Sequence, residues 1–187
     1  RAANCGCVDG VVCAPAPVRI LPKGKFGNEL ILDFIDQKFG LHVPVYRQCD
    51  ALLREAGVEV SRQTVCGVIG YVGALLEPIR QSLRQDLIQG GYIQADETRM
   101  GVQSPEVRGR NHTGQIWHFG RPGGPVVVDF QMSRGRDGPM EFLQGFRGTL
   151  QCDGYSAYDK LGPGIEYAGC MAHARRKFDH ALQSDRP

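Results

Sequence analysis

The stretch Gly91–Thr98, GYIQADET, places a carboxylate, Asp96, directly after an apolar run with the pattern of a short buried strand. The stretch Thr149–Leu161, TLQCDGYSAYDKL, repeats the arrangement, because a β-type run ends in Asp153 and a glycine and a helix-like segment follow. An aspartate in this position is commonly a turn residue. If the two strands are neighbours in a sheet, however, both carboxylates lie at one edge, where they stay ionised together most easily by sharing divalent cations.

The sequence around these two stretches predicts a mixed α/β sheet. After Gly90, short strand-like runs separated by Gly- and Pro-rich turns give way to alternating strands and helices. The predicted order is three strands, helix, strand, helix, strand, helix, with Asp96 and Asp153 at the ends of the first and fourth strands. Trp117 and Phe119, on the second strand, are predicted to belong to the core or the sheet face. The predicted strands are YIQAD, GQIWHFG, PVVVDFQM, TLQCD and IEYAG, and the predicted helices are DGPMEFLQGF, GYSAYDKL and CMAHARRKFDHAL.

The region before this sheet, residues 26–89, has the periodicity of helices. Apolar residues recur at helical spacing from Asn28 to Gly40. A second helix is predicted to start at Pro44 and to end at Gly57. The change of pattern places a domain boundary near Gly90–Gly91.

A third helix in this region raises the question of DNA contact. Ser61 is its predicted N-cap, and the helix is expected to reach about Ile88 with a kink or break at Pro78. Helix, short turn and helix form the outline of a helix-turn-helix, and also of an ordinary helical hairpin. In the first case the base contacts are expected from Arg62, Gln63 and Thr64, at the N-terminal end of the second helix of the motif.

Composition narrows the class of protein. The 187 residues are 42% hydrophobic and 22% charged, as in ordinary soluble globular proteins. No apolar run approaches the roughly 18–20 residues that span a bilayer, so we expect no membrane segment. The formal charge of +2 does not by itself indicate nucleic acid. Three basic clusters, Arg19–Gly27, Met132–Arg136 and His173–Phe178, could contact phosphates or could be solvated surface.

Six segments of the sequence together form a specific set of motifs. They are APAPVRILPKG, HVPVYRQCDALLREAGVEVSRQTV, YIQADETRM, GQIWHF, FRGTLQCDGYSAYDKL and GCMAHARRKF. In this order they closely resemble the transposases of insertion-sequence family 66, and the resemblance runs from about Val11 over nearly the whole chain. It implies a bacterial mobile-element enzyme with a ribonuclease-H-like core that carries an Asp, Asp, Glu triad.

The resemblance also assigns roles to residues of this chain. Asp96 and Asp153 match the two catalytic aspartates of the family and would hold Mg²⁺ or Mn²⁺. Cys170 and His173 match a Cys-x-x-His element, with a structural role or an accessory role at the active site. The basic residues that follow on the same helix would contact the DNA backbone or form a solvated helix face: Arg175, Arg176 and Lys177.

The chain departs from the family in two places. The catalytic glutamate of the family lies in a helix downstream of the Cys-x-x-His element, and no residue here matches it, so we expect the chain to lack catalysis on its own. The family also has a zinc-binding segment near its N-terminus, which implies Zn²⁺ in full-length members. Residues 1–25 read as a remnant of that segment and a Pro-rich linker, and with only Cys5, Cys7 and Cys13 we expect the zinc module not to close.

The predicted organisation is therefore a helical DNA-binding region, 26–89, followed by a partial ribonuclease-H-like domain, 91–187. The implied function of the full-length protein is metal-dependent DNA cleavage and strand transfer, in the bacterial cytoplasm at the nucleoid. DNA is the expected partner, together with further copies of the protein in a synaptic complex. Three alternatives remain open: a DNA-binding module without catalysis, a metal nuclease without strand transfer, and an inactive remnant. Seven cysteines without an export leader fit reduced thiols.

Overall fold

A computed structural model describes residue 15 and residues 17–103 and 111–184. The three cysteines of the expected zinc remnant lie outside these residues. The chain divides into two compact units between Leu76 and Glu77. We call them the helical unit and the sheet unit. Within the described residues, no helix has the length and apolar character needed to cross a membrane.

In the described part of the helical unit, three α-helices surround a small apolar core. Helix α1 spans Asn28–Ile35 and continues into one π-helical stretch, Asp36–Gly40, while α2 spans Val45–Ala56 and α3 spans Arg62–Leu75. Helix α3 packs against both α1 and α2. Burial of one apolar face from each helix stabilises the unit. Its buried centre is Phe34, Cys49 and Val65, with partly buried Phe26, Leu30, Val45, Leu52, Val60 and Ile69 around it.

The turn between α2 and α3 has the helix end and the helix cap that the sequence predicts. Gly57 ends α2 in the left-handed conformation, with φ +67°, and its amide donates to Leu53 O. Ser61 caps α3, because its side-chain oxygen accepts from the amide of Thr64 at 3.1 Å. Both predicted helix boundaries are confirmed.

Helix α4, Glu77–Gln89, belongs to the sheet unit and packs on strands of the sheet. The expected break near Pro78 is confirmed, since α3 and α4 are separate helices and Pro78 is the second residue of α4. The predicted boundary near Gly90–Gly91 therefore lies one helix later than the division between the compact units.

The sheet unit is built on a mixed five-stranded sheet with the order β3-β2-β1-β4-β5. Strands β1, β2 and β3 are antiparallel neighbours, whereas β4 runs parallel to both β1 and β5. This confirms the predicted α/β class and the predicted adjacency of the first and fourth strands. The elements are β1 Tyr92–Gln103, β2 Asn111–Gly120, β3 Val126–Gln131, α5 Asp137–Phe142, β4 Gly148–Cys152, β5 Ile165–Gly169 and α6 Met171–Ser184.

The structure differs from the predicted elements most at the end of β1 and in the segment after β4. Strand β1 continues to Gln103, so Asp96 lies inside the strand rather than at its end, because the residues after it pair with β2. The helix predicted over GYSAYDKL is only a 3₁₀ turn, Ser156–Tyr158, since the segment is too short to form more than one stabilised turn.

The core of the sheet unit lies on one face of the sheet. Trp117 and Phe119 are fully buried there, which confirms their predicted place in the core. Trp117 meets Tyr158 edge to face, with ring centroids 5.6 Å apart, and Phe119 stacks on Phe142 at 3.8 Å. Asp96 lies on the opposite, solvent-facing side of β1, because Ile93 and Ala95 alternate with it and are buried.

Candidate active site

The register of β1 and β4 places the two aspartates at corresponding positions. The last paired residues of the two strands are Gln94 and Gln151. Asp96 and Asp153 each follow two positions later, so in a parallel pair both carboxylates leave their strands at the same level. Paired strands are about 4.8 Å apart, and this spacing applies to the Gln94–Gln151 pair, two residues before the aspartates.

Asp96 is accessible to solvent and lies among histidines. Its side chain is 57% exposed, and its cross-strand partner on β2 is His118. The Nε2 atom of His173, on the first turn of α6, is 4.0 Å from Asp96 Oδ1. Asp96, His118 and His173 therefore line one cavity.

Cys170 and His173 form a pair that joins α6 to the end of β4. The Cys170 amide donates to Cys152 O at 2.8 Å, directly before Asp153. Hydrogen bonds from the His173 amide and imidazole lower the pKa of Cys170. The pKa of His173 is raised, first by its hydrogen bond with Cys170 and then by the charge of Asp96. Each shift is in the direction that stabilises the charged form of its group.

Two cavities adjoin at His173, which lines both of them. The first has a volume of about 290 Å³ and contains Asp96, and the second has a volume of about 320 Å³ and contains Asp153. The Asp153 cavity is also lined by two cations of α6, Arg176 and Lys177. Two adjoining cavities, with a carboxylate on each and two cations on one of them, could accommodate a phosphate backbone with a bound metal ion.

The remaining sequence-predicted residues are not among those that line these two cavities. Arg175 lies on α6 with its Nε 3.6 Å from the carboxylate of Asp179. Arg62, Gln63 and Thr64 are exposed on the first turn of α3, in the helical unit. The hydroxyl of Thr64 shares a 2.8 Å hydrogen bond with Ser61 Oγ.

Sequence reasoning missed several residues of the site. His118 faces Asp96 only because of the β1–β2 register. Gln151 lines the Asp96 cavity, and its side-chain oxygen accepts from Tyr92 Oη at 2.7 Å and from Gln94 Nε2 at 2.6 Å. The only sequence signal for Gln151 is its place in the alternation of β4, two residues before Asp153.

The two carboxylates fit a Mg²⁺ or Mn²⁺ site with few protein ligands better than a structural metal site in which the protein supplies every ligand. No cluster of three or more His, Cys, Asp or Glu side chains able to hold a metal occurs in the described residues. Mg²⁺ requires fewer protein ligands, because it binds through one or two carboxylates and leaves positions for water and substrate phosphates. Asp96 and Asp153 would be the two carboxylates.

The fold and site define an α/β protein in which a helical unit precedes a mixed sheet with two carboxylates on adjacent parallel strands. The family model described as "Transposase IS66 family" matches residues 23–186. The chain belongs to this family, as its sequence motifs indicated.

The curated relatives of the chain are longer than the chain itself. An uncharacterized protein of Sinorhizobium fredii, y4qI, is 34% identical over 91% of this chain and 34% of its own length. A second, y4hP, is 30% identical over 94% of this chain and 34% of its own length. The chain thus spans about a third of the curated relatives that it matches. No solved structure matches the chain.

Proposed function

We propose that the sheet unit is the part of a DNA transposase that holds a catalytic divalent cation between Asp96 and Asp153. The parallel register carries this proposal, since it sets both aspartates two residues beyond the Gln94–Gln151 pair. Membership of a transposase family supports a phosphodiester as the substrate. A bound Mg²⁺ would supply Lewis-acid activation of water and stabilisation of the leaving oxygen.

In this proposal the residues of the chain bind and orient the DNA strand. Asp96, within β1, and Asp153, directly after β4, would hold the cation, and the pairing of the two strands in one sheet would keep both side chains in place. Arg176 and Lys177, at the Asp153 cavity, would neutralise the backbone phosphates next to the cleaved bond. The full-length protein would then join the freed 3′ end to target DNA, and its further copies would hold two element ends together.

Mn²⁺ should bind this chain at both aspartates, and Asp153→Asn should abolish binding because a single carboxylate holds such ions weakly. Nuclear magnetic resonance would detect this, because paramagnetic Mn²⁺ broadens the signals of nearby amides. We expect broadening around Gln94–Glu97 and Cys152–Tyr155 together in the wild type, and in neither segment in Asp153→Asn. Asp159→Asn removes an exposed carboxylate from the same region and should leave the broadening intact. Broadening at only one aspartate in the wild type would contradict a shared site.

We also propose that DNA contacts come from α3, through Arg62, Gln63 and Thr64, and from α6, through its cations. The exposure of these side chains and the helix-turn-helix outline of α2 and α3 support this proposal. Arg175 belongs to the proposed α6 set, although its pairing with Asp179 makes it a weaker candidate than Arg176 and Lys177.

The salt dependence of duplex binding tests these contacts. Each phosphate contact contributes about 0.9 to the slope of log affinity against log salt. Removing Arg176 and Lys177 together as glutamines should lower the slope by about 2, and Arg62→Gln should lower it by about 1 if Arg62 contacts phosphate. Arg54→Gln, on an exposed residue paired with Glu55, is the control with the same loss of charge. Equal slopes in all four proteins would place the DNA surface elsewhere.

A further inference from the structure

A buried carboxylate, Glu97, lies next to Asp96 in β1 but on the opposite face of the sheet. Successive side chains of a strand alternate, so Asp96 faces solvent and Glu97 faces the core. The Glu97 side chain is only 4% exposed. A carboxylate at that depth stays ionised only when cations and hydrogen-bond donors surround it.

Glu97 has such partners on both oxygens. Arg134 donates to Glu97 Oε1 through Nη2 at 2.6 Å and through Nε at 3.2 Å. The Tyr158 hydroxyl donates to Glu97 Oε2 at 3.1 Å. These hydrogen bonds raise the pKa of Arg134, and burial raises the pKa of Tyr158, so both groups remain protonated donors.

The same arginine reaches the turn that carries Asp153. Its guanidinium lies 3.8 Å from the ring centroid of Tyr155, and the Tyr155 hydroxyl donates to Arg134 O at 3.1 Å. The Tyr155 amide in turn donates to Asp153 Oδ1 at 2.8 Å. An unbroken series of contacts therefore leads from Glu97 through Arg134 and Tyr155 to Asp153. We call Glu97, Arg134, Tyr155 and Tyr158 the Glu97 cluster.

We propose that Glu97 is a positioning residue, which acts through the Glu97 cluster to hold the turn bearing Asp153 level with Asp96. Strand β1 would then carry the metal ligand Asp96 on its outer face. Glu97, on its inner face, would hold the second ligand, Asp153, in position. Buried ion pairs rarely stabilise a fold more than apolar side chains of the same size would, so stability alone is a weak reason for this cluster. The inference rests on the metal site proposed above.

Two variants separate positioning from stability. Glu97→Gln keeps the shape of the side chain but leaves Arg134 without its counter-charge. The double variant Glu97→Met, Arg134→Met replaces the pair by apolar groups of similar length, so no unpaired charge remains. It also leaves the buried Tyr158 hydroxyl without its acceptor, so a moderate loss of global stability is expected. Glu166→Gln, on an exposed glutamate of β5, is the matched control. Global stability is measured by urea unfolding for all three.

The first readout needs no metal: hydrogen exchange of the Tyr155 amide, compared with amides in β2 and β3. We expect exchange of Tyr155 to become about tenfold faster in Glu97→Gln and in the double variant, since its hydrogen bond to Asp153 loosens. The second readout is the Mn²⁺ affinity from amide broadening. Loss of a partner that orients a metal ligand typically weakens binding by about 10–100-fold, and we expect a decrease of that size.

Unchanged Tyr155 exchange in a folded double variant would overturn the inference, because the turn would then not depend on Glu97 or Arg134. If Glu97→Gln unfolds, the double variant still decides. Absence of Mn²⁺ broadening in the wild type would refute the proposed metal site, and the metal-free exchange of Tyr155 would still show whether Glu97 positions the turn. Faster exchange in Glu166→Gln to the same degree would also overturn the assignment.

Discussion

Replacing Gly148 with alanine is expected to destabilise the sheet unit by more than about 4 kcal/mol, enough to unfold it or nearly so. Gly148 is the first residue of β4 and has φ +141°, a conformation that residues with a Cβ rarely adopt. An added Cβ would overlap the backbone of Gly91, with its carbonyl carbon only 2.7 Å away. The clash is with backbone and not with a flexible side chain, so the strands themselves must separate.

The place of Gly148 in the sheet explains why the loss of stability should be large. The Gly148 amide donates to Gly164 O at 2.9 Å, and the next amide, of Thr149, donates to Gly91 O at 2.9 Å. Here β4 enters the sheet between β1 and β5, and a shift would lose both hydrogen bonds. The β1–β4 pairing that sets Asp96 and Asp153 at one level would be lost with them.

Gly145→Ala is the matched control for this experiment. Gly145 also has positive φ, +86°, but an added Cβ would meet nothing within 4 Å. It should cost only the backbone strain of about 1–2 kcal/mol. Urea unfolding followed by the fluorescence of Trp117, the single tryptophan of the chain, reports the sheet unit directly. Similar midpoints for the two variants would contradict the steric argument.

Phe119→Ala should destabilise the sheet unit by about 3–5 kcal/mol. Phe119 is fully buried, and its ring stacks on Phe142 with the two planes only 8° apart. Deleting the ring removes its apolar burial, leaves a cavity between β2 and α5, and removes the aromatic stacking, so three losses add. Trp117 remains available as the fluorescent probe.

The control for Phe119 is Phe130→Ala on β3. Phe130 is 45% exposed, so the same truncation should cost less than about 1 kcal/mol, because little buried area is lost. The free energy of unfolding of each variant is compared with that of the wild type from urea unfolding curves that have the same m-value. A loss in Phe130→Ala as large as that in Phe119→Ala would mean that the outer face of the sheet is covered in solution.

Local sequence patterns were sufficient to predict the main helix boundaries of the helical unit. Ser61 was recognisable as a cap because its oxygen acts on an amide three residues away, and Gly57 as a helix end because only local backbone conformation is involved. The break at Pro78 follows equally from a local cause, the missing amide and the ring clash of proline.

The sequence singled out Asp96 and Asp153 because both follow apolar runs. The parallel β1–β4 pairing confirms that the two strands are neighbours, and the shared metal site stays a prediction. The extension of β1 to Gln103 was missed, since it depends on pairing with β2 and not on an apolar pattern. The brevity of the Ser156–Tyr158 turn was missed because a weak helical pattern does not reveal that a helix stops after one turn.

The sequence by itself determined the class of fold and the family, and it singled out the two aspartates as a hypothesis, because these depend on periodicity, turn chemistry and motifs that are contiguous along the chain. Only the tertiary structure decided which distant residues lie near the two aspartates. Arg134 meets Glu97, and His173 approaches Asp96, through a sheet register and a helix position that bring together residues far apart in sequence. Local propensity carries no information about such contacts, since the packing of the whole unit selects them.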